Sequence, residues 1–285
     1  MRTSLFALAA LTLLVQRVDA ASVTLGVLAD NEDGTSYDID AQFAPTDNWY
    51  VGAGVGRSES SLTGADFSGT SLRLATDVSL GAFSAGVSMQ RWEDSSQLES
   101  TDVLAQIGWL ADNGFSFGAL LDDRRMTVQY TATILGQTQE REIDFEGTGF
   151  GADISWFGES WNLGVRYLGY SYGRSVDRVR AVLDSASTDR FPRLQLLMDS
   201  VVTRAAGAPD RQFTATLGRQ VGRSSLQGDF GLQRDALTGT KVKSLSLTHG
   251  HSPGEHVHID TTLGFSDGGV DGTVAFAGLA LTLGN

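Results

Sequence analysis

The four histidines are the residues of this chain best suited to acid–base or metal chemistry, and all fall between His249 and His258. Clustered imidazoles suggest metal binding or pH sensing. The spacing of His249, His251, His256 and His258 works against a shared ligand. His249 continues the row of Leu245 and Leu247, whereas His256 and His258 take the opposite parity to Val257 and Ile259. Only His256 and His258, joined by His251 from a turn, share a side, and Glu255 points elsewhere. That donor set is thin, so no metal site is assigned. A Ser/His or Asp/His hydrolase needs its base beside its nucleophile. Every His lies near one short turn, away from the longer connections. No catalytic residue is assigned, and the chain is read as not being an enzyme.

Other chemistries are excluded by composition. There is no Cys, hence no thiolate ligand, Cys nucleophile or disulfide framework. No Gly-rich nucleotide loop with a following Lys and no calcium-loop spacing occurs, so no cofactor is expected. The 285 residues carry 21 Lys plus Arg against 34 Asp plus Glu, a formal net charge of -13. A chain this acidic lacks the basic surface that nucleic acid requires, and none is expected as a partner.

What remains is a set of polar and charged residues at alternate positions. Asp38, Asp40, Arg73, Gln90, Asp102, Gln106, Asp153, Arg166, Asp229 and Asp260 fall on the parity opposite the apolar rows. Tyr37, Ile39, Ala41 and Phe43 interleave with the first two; Val103, Ala105, Ile107 and Trp109 follow Asp102 in the same way. A period of two is that of a strand, whose successive side chains point to opposite faces. The pattern runs through almost the whole chain after Ala21. It predicts about fourteen strands, near 22–29, 36–44, 48–57, 68–79, 82–92, 100–110, 115–122, 143–157, 161–173, 211–221, 225–234, 241–249, 256–266 and 273–283. Twelve to sixteen are compatible with the spacing. Short turns such as Ala111 to Gly114 and Gly158 to Ser160 alternate with longer polar connections, among them Arg57 to Phe67, Asp122 to Glu142 and Arg174 to Arg211.

A soluble β-sandwich also alternates, but three features favour a membrane barrel. The runs are about ten residues long, which suits a tilted strand crossing a bilayer, whereas soluble strands cluster near five or six. Aromatics (Phe43, Trp49, Phe83, Trp109, Phe115, Trp156, Trp161) flank the short turns like an interfacial girdle, and Trp92, Tyr170, Tyr172, Phe213 and Phe265 suggest a second girdle at the other end. The polar rows would leave charges stranded in a dry core at a cost of several kcal/mol each; a wet lumen would not.

On these residues the chain resembles the Gram-negative outer-membrane β-barrels, specifically the mid-sized monomeric porin-like ones, over 21–285. The expected fold is an all-β, transmembrane antiparallel barrel of about fourteen strands. The resemblance implies residence in the outer membrane and contact with its lipid, with lipopolysaccharide and with the barrel-assembly machinery. It implies passive diffusion of ions or small hydrophilic solutes. The alternatives are a non-conducting surface, adhesin or structural barrel plugged by a loop, and export of a hydrophobic substrate through a lateral opening. The chain departs from many members by ending Leu283-Gly284-Asn285 rather than in an aromatic residue. Residues 1–20 read as a signal peptide, with Arg2 as the basic start, Leu5 to Val15 as the apolar run and cleavage after Ala20.

The polar rows then become lumen-lining candidates: Asp38, Asp40, Arg73, Gln90, Asp102, Asp153, Arg166, Asp229 and Asp260. Six Asp against two Arg there predict mild cation preference. Glycines at 52, 54 and 56, and at 147, 149 and 151, share that parity. They suggest either a smooth groove or the curvature that closure demands. Segment 174–210 breaks the period. Phe191, Leu194, Leu197, Met198, Val201 and Val202 recur at helical spacing after Pro192. It is expected to be a long, partly helical loop, with Arg178, Arg180, Arg190 and Arg193 set into the bore as a constriction.

Overall fold

The structure is a computed structural model, and it describes residues 21–62, 65–94, 98–134, 137–173, 208–237, 239–269 and 272–284. The signal-peptide reading of 1–20 and the helical reading of the loop, with Arg178, Arg180, Arg190 and Arg193, lie outside the described residues.

Fourteen strands form a closed barrel in which each pairs with its sequence neighbours and β1 closes on β14. They are β1 (Ala21–Asp30), β2 (Thr35–Thr46), β3 (Trp49–Leu62), β4 (Ala65–Leu80), β5 (Phe83–Asp94), β6 (Leu98–Leu110), β7 (Phe115–Ile134), β8 (Gln137–Phe157), β9 (Trp161–Tyr172), β10 (Pro209–Val221), β11 (Ser224–Asp235), β12 (Lys241–His251), β13 (Val257–Gly269) and β14 (Gly272–Gly284). All pairings are antiparallel, and the closing register runs from Ser22 opposite Gly284 to Asp30 opposite Phe276. Closure leaves no unpaired edge, which a strand crossing hydrocarbon cannot tolerate.

The two parities separate as alternation requires. One carries the exposed apolar side chains, among them Val55, Leu72, Leu74, Val87, Ile107, Phe150, Leu163, Leu217, Leu247 and Leu263. This is the outer surface, and a continuous apolar band of that kind suits lipid. Trp49, Phe83, Trp109, Phe115 and Trp161 are exposed on it beside the short turns, forming the expected girdle. Trp49 anchors its indole N–H on Thr76 Oγ1 at 2.8 Å, and Arg219 lies 4.9 Å over the Trp161 ring. The start of β1 at Ala21 and the end of β14 at Gly284 also lie at this end of the barrel. Gly114, at φ +84°, closes the β6–β7 turn there; a Cβ on it would collide with the Phe157 carbonyl.

At the opposite end the structure corrects three expectations. Asp122 to Glu142 is not a long connection. Strands β7 and β8 pair continuously from Phe115 opposite Trp156 to Ile134 opposite Gln137. Likewise β3 and β4 stay paired to Leu62 opposite Ala65. Charge on both faces hid these extensions. Asp122, Asp123, Arg124 and Arg125 abolish the apolar alternation, yet Thr127 still donates to Asp144 across the ladder at 2.7 Å. Strands of 20 and 21 residues far exceed the 9–11 that cross a bilayer, so this hairpin projects beyond it. The second girdle is also only partial. Phe265 faces outward, but Trp92, Tyr170 and Tyr172 belong to the inner parity; Trp92 is 3% exposed and Tyr170 9%.

Candidate functional site on the inner face

The inner face is organised by its glycines. On β8, Gly147, Gly149 and Gly151 stand opposite Arg124, Asp122 and Leu120 of β7, and opposite Tyr172, Tyr170 and Leu168 of β9. Missing side chains on the central strand let its two neighbours meet across it. Tyr170 donates its hydroxyl to Asp122. The Arg124 guanidinium sits 5.8 Å from the Tyr170 ring centre. Leu120, Leu168 and Tyr170 pack as one buried cluster with Leu104 and Tyr172 against it. The Tyr170 and Tyr172 rings stack at 6.1 Å, and Tyr172 donates to the Pro209 carbonyl at 2.8 Å. A Cβ on Gly149 would stand 2.8 Å from the Tyr170 ring.

The same device recurs twice. Gly54 and Gly56 of β3 lie between Asp40 and Asp38 of β2 and Arg73 and Ser71 of β4. Arg73 reaches across them, donating to Asp38 at 2.8 Å and to Asp40 at 2.9 Å and 3.2 Å. Gly86 of β5 lies between Asp77 and Gln106, whose side chains bond over it at 2.9 Å. The glycine rows are thus bridging gaps for cross-strand polar pairs, rather than a bare groove.

Each sequence candidate has a defined place. Asp38, Asp40 and Arg73 form one network. Gln90 stands beside Arg73 and opposite Asp102 by register. Asp102 accepts both Nε–H and Nη2–H bonds from Arg124. Asp153 and Arg166 are directly opposed across β8 and β9 but form no ion pair among the described residues, and they border an open recess with Ser155, Asn162, Thr214 and Thr216. Asp229 accepts from Thr216 at 2.7 Å and from Gln227. Asp260 contacts His258 Nε2 at 3.0 Å, and Ser252 Oγ meets His258 Nδ1 at 2.8 Å. His251 is engaged instead by Ser224 at 2.9 Å, and His249 faces outward, so the histidines do not converge.

Sequence reasoning missed Asp77, Asp122, Arg124 and the inward tyrosines. Parity counted from Leu120 through Asp122 and Arg124 to Met126 would have found the β7 residues. Tyr170 and Tyr172 continue the parity of Arg166 and Leu168.

These features define a transmembrane β-barrel of porin-like architecture: closed, fourteen-stranded, apolar outside and polar within. Solved outer-membrane barrels share this architecture. CymD, described as a monoaromatic hydrocarbon channel, superposes with a TM-score of 0.56 at 10% identity, over 96% of this chain and 90% of its own. A loop L8 deletion mutant of OmpT, an outer membrane protein of Vibrio cholerae, gives 0.50 at 10% identity over 93% and 98%. A bacterial polysaccharide outer membrane secretin gives 0.50 at 10% identity over 92% and 97%. No family model matches the sequence, and no curated protein does. The fold is the one these outer-membrane barrels share, and the outward apolar band suits a lipid bilayer.

Proposed function

We propose that the barrel is a passive channel for ions and small hydrophilic solutes with a preference for cations. The observation that carries this reading is the open recess where Asp153 and Arg166 oppose each other unpaired. With Asp77, Asp122 and Arg124 added, the named inner positions hold eight Asp against three Arg. Rings of carboxylates in a pore favour cations. Segment 174–210 is the proposed constriction, with Arg178, Arg180, Arg190 and Arg193 in the bore, and lipopolysaccharide and the barrel-assembly machinery are the proposed partners. The polar strand ladder, rather than any catalytic constellation, is the basis for reading the chain as a non-enzyme.

A plugged, non-conducting barrel is the second reading. It is favoured by buried apolar side chains on the inner face, notably Leu120, Met126, Phe145 and Leu168, since a water-filled bore would wet them. Single-channel recording of the refolded protein under a salt gradient separates the two. Steady conductance with a cation-selective reversal potential supports the channel; a folded but silent barrel supports the plug. Deletion of 178–206 leaving conductance unchanged would remove the constriction from the proposal.

A further inference from the structure

Among the described residues, most outward arginines at the end remote from Ala21 and Gly284 are matched to acids. Arg57 bonds Glu59 at 2.7 Å, Arg91 reaches Glu99 at 3.0 Å and Glu93 at 3.2 Å, and Arg125 reaches Asp123 at 3.3 Å. Strands β10 to β12 break this rule. Arg211 stands opposite Arg234, and Arg234 opposite Lys241, so three cations lie abreast on three adjacent strands. Among the described residues one carboxylate is paired with the two arginines: Asp210, at 3.8 Å from Arg211 and 3.7 Å from Arg234. Lys243 lies one outward step below, beside Leu232, and the acid across from it, Asp267, accepts a bond from Thr273. Lys241 and Lys243 are the only lysines in the whole sequence, and both are here. On the other flank β9 presents Gly169 opposite Arg211, with no side chain to obstruct the row.

Directly beneath come Tyr167, Phe213 and Leu232, paired in register. Two residues along a strand is about 7 Å. The cation row therefore sits one step above the apolar band, at the level where acyl chains give way to headgroups. Arg and Lys at such a boundary keep their stems on apolar surface and their charges in the polar layer. In barrels of this class the longer connections face outward from the cell, and that is the end on which the row lies.

We infer that Arg211, Arg234 and Lys241, with Lys243 below, form a docking site for the phosphates of an outer-leaflet glycolipid. Two adjacent guanidiniums suit bidentate phosphate contact, and a diphosphorylated headgroup supplies the charge that Asp210 does not. The site rests on the membrane placement above but not on conduction, so it stands or falls apart from the channel reading.

The test is native mass spectrometry of the intact barrel with three probes: bisphosphorylated lipid A, the same lipid dephosphorylated, and inorganic phosphate as competitor. The wild type retains the bisphosphorylated lipid at least about tenfold more tightly than the dephosphorylated one. R211Q/R234Q/K241Q loses that preference, R57Q/R91Q keeps it, and Asp210→Asn tightens it. Gel mobility before and after heating reports that each variant folds. Equal retention by the triple variant overturns the proposal. So does displacement of the lipid by millimolar inorganic phosphate, which would make the row a site for free anions.

Discussion

Arg124 of β7 holds both carboxylate oxygens of Asp102 on β6 while its guanidinium faces the Tyr170 ring of β9 at 5.8 Å. One side chain thereby ties three strands across a glycine. The pair is well shielded, with 8% of the Arg124 side chain and 15% of the Asp102 side chain exposed. Removing one partner strands the other charge, which costs about 3–5 kcal/mol in such a setting. Arg124→Ala is therefore expected to lower the unfolding free energy of the bilayer-inserted barrel by that amount, read as a lower urea midpoint at unchanged slope. The compound variant D102L/R124M, which removes both partners of this pair, should lose less. A compound variant as unstable as either single change would show that packing, not charge, is the dominant contribution.

The Arg73 network makes an opposite-signed pair of expectations about ion preference. Arg73 donates to both Asp38 and Asp40, and none of the three side chains is deeply buried. Arg73→Gln leaves two carboxylates uncompensated and should move the reversal potential toward stronger cation preference. D38N/D40N leaves the guanidinium alone and should move it the other way. Both shifts should shrink in concentrated salt, because the screening length falls to about 3 Å near 1 M. Shifts of the same sign in both variants would place the network off the conduction path.

The barrel itself was legible because its evidence is repeated on every strand. A period of two with one apolar row is imposed by the lipid at each crossing, so even weak segments reinforce one another. The inner arrangement was less legible because it is written across strands. Nothing local to Gly149 says that Asp122 and Tyr170 flank it; that depends on two registers. Asp122 to Arg125 read as loop because charge appears on both parities once the strand leaves the hydrocarbon. Trp92 and Tyr170 read as girdle because an aromatic near a strand end has the same sequence signature whether it points out or in.

If the glycine rows serve as bridging gaps, filling one should break the bridge. A Cβ at Gly149 would stand 2.8 Å and 2.9 Å from two Tyr170 ring carbons. Gly149→Val should push the ring aside and release its bond to Asp122, costing about 1–3 kcal/mol. Adding Tyr170→Ala to that variant should make the second substitution less costly than it is in the wild type. Strict additivity in a double-mutant cycle, read from unfolding midpoints, would argue that the glycine is required only for strand curvature.

The orientation of Trp92 can be read optically. Trp49, Trp109 and Trp161 are each more than 40% exposed on the outer surface, whereas Trp92 is 3% exposed on the inner parity. Lipids brominated on the acyl chain quench indoles that touch the bilayer, so the three outward tryptophans should dim and Trp92 should not. Trp92→Phe is expected to remove unquenched emission only, raising the quenched fraction of what is left. Trp109→Phe should lower that fraction. A fall in the quenched fraction on replacing Trp92 would return it to the lipid-facing girdle and undo the inward assignment of its strand end. The same reversal of parity on β5 would carry Gln90 outward with it, and with Gln90 the polar inner row between Arg73 and Asp102.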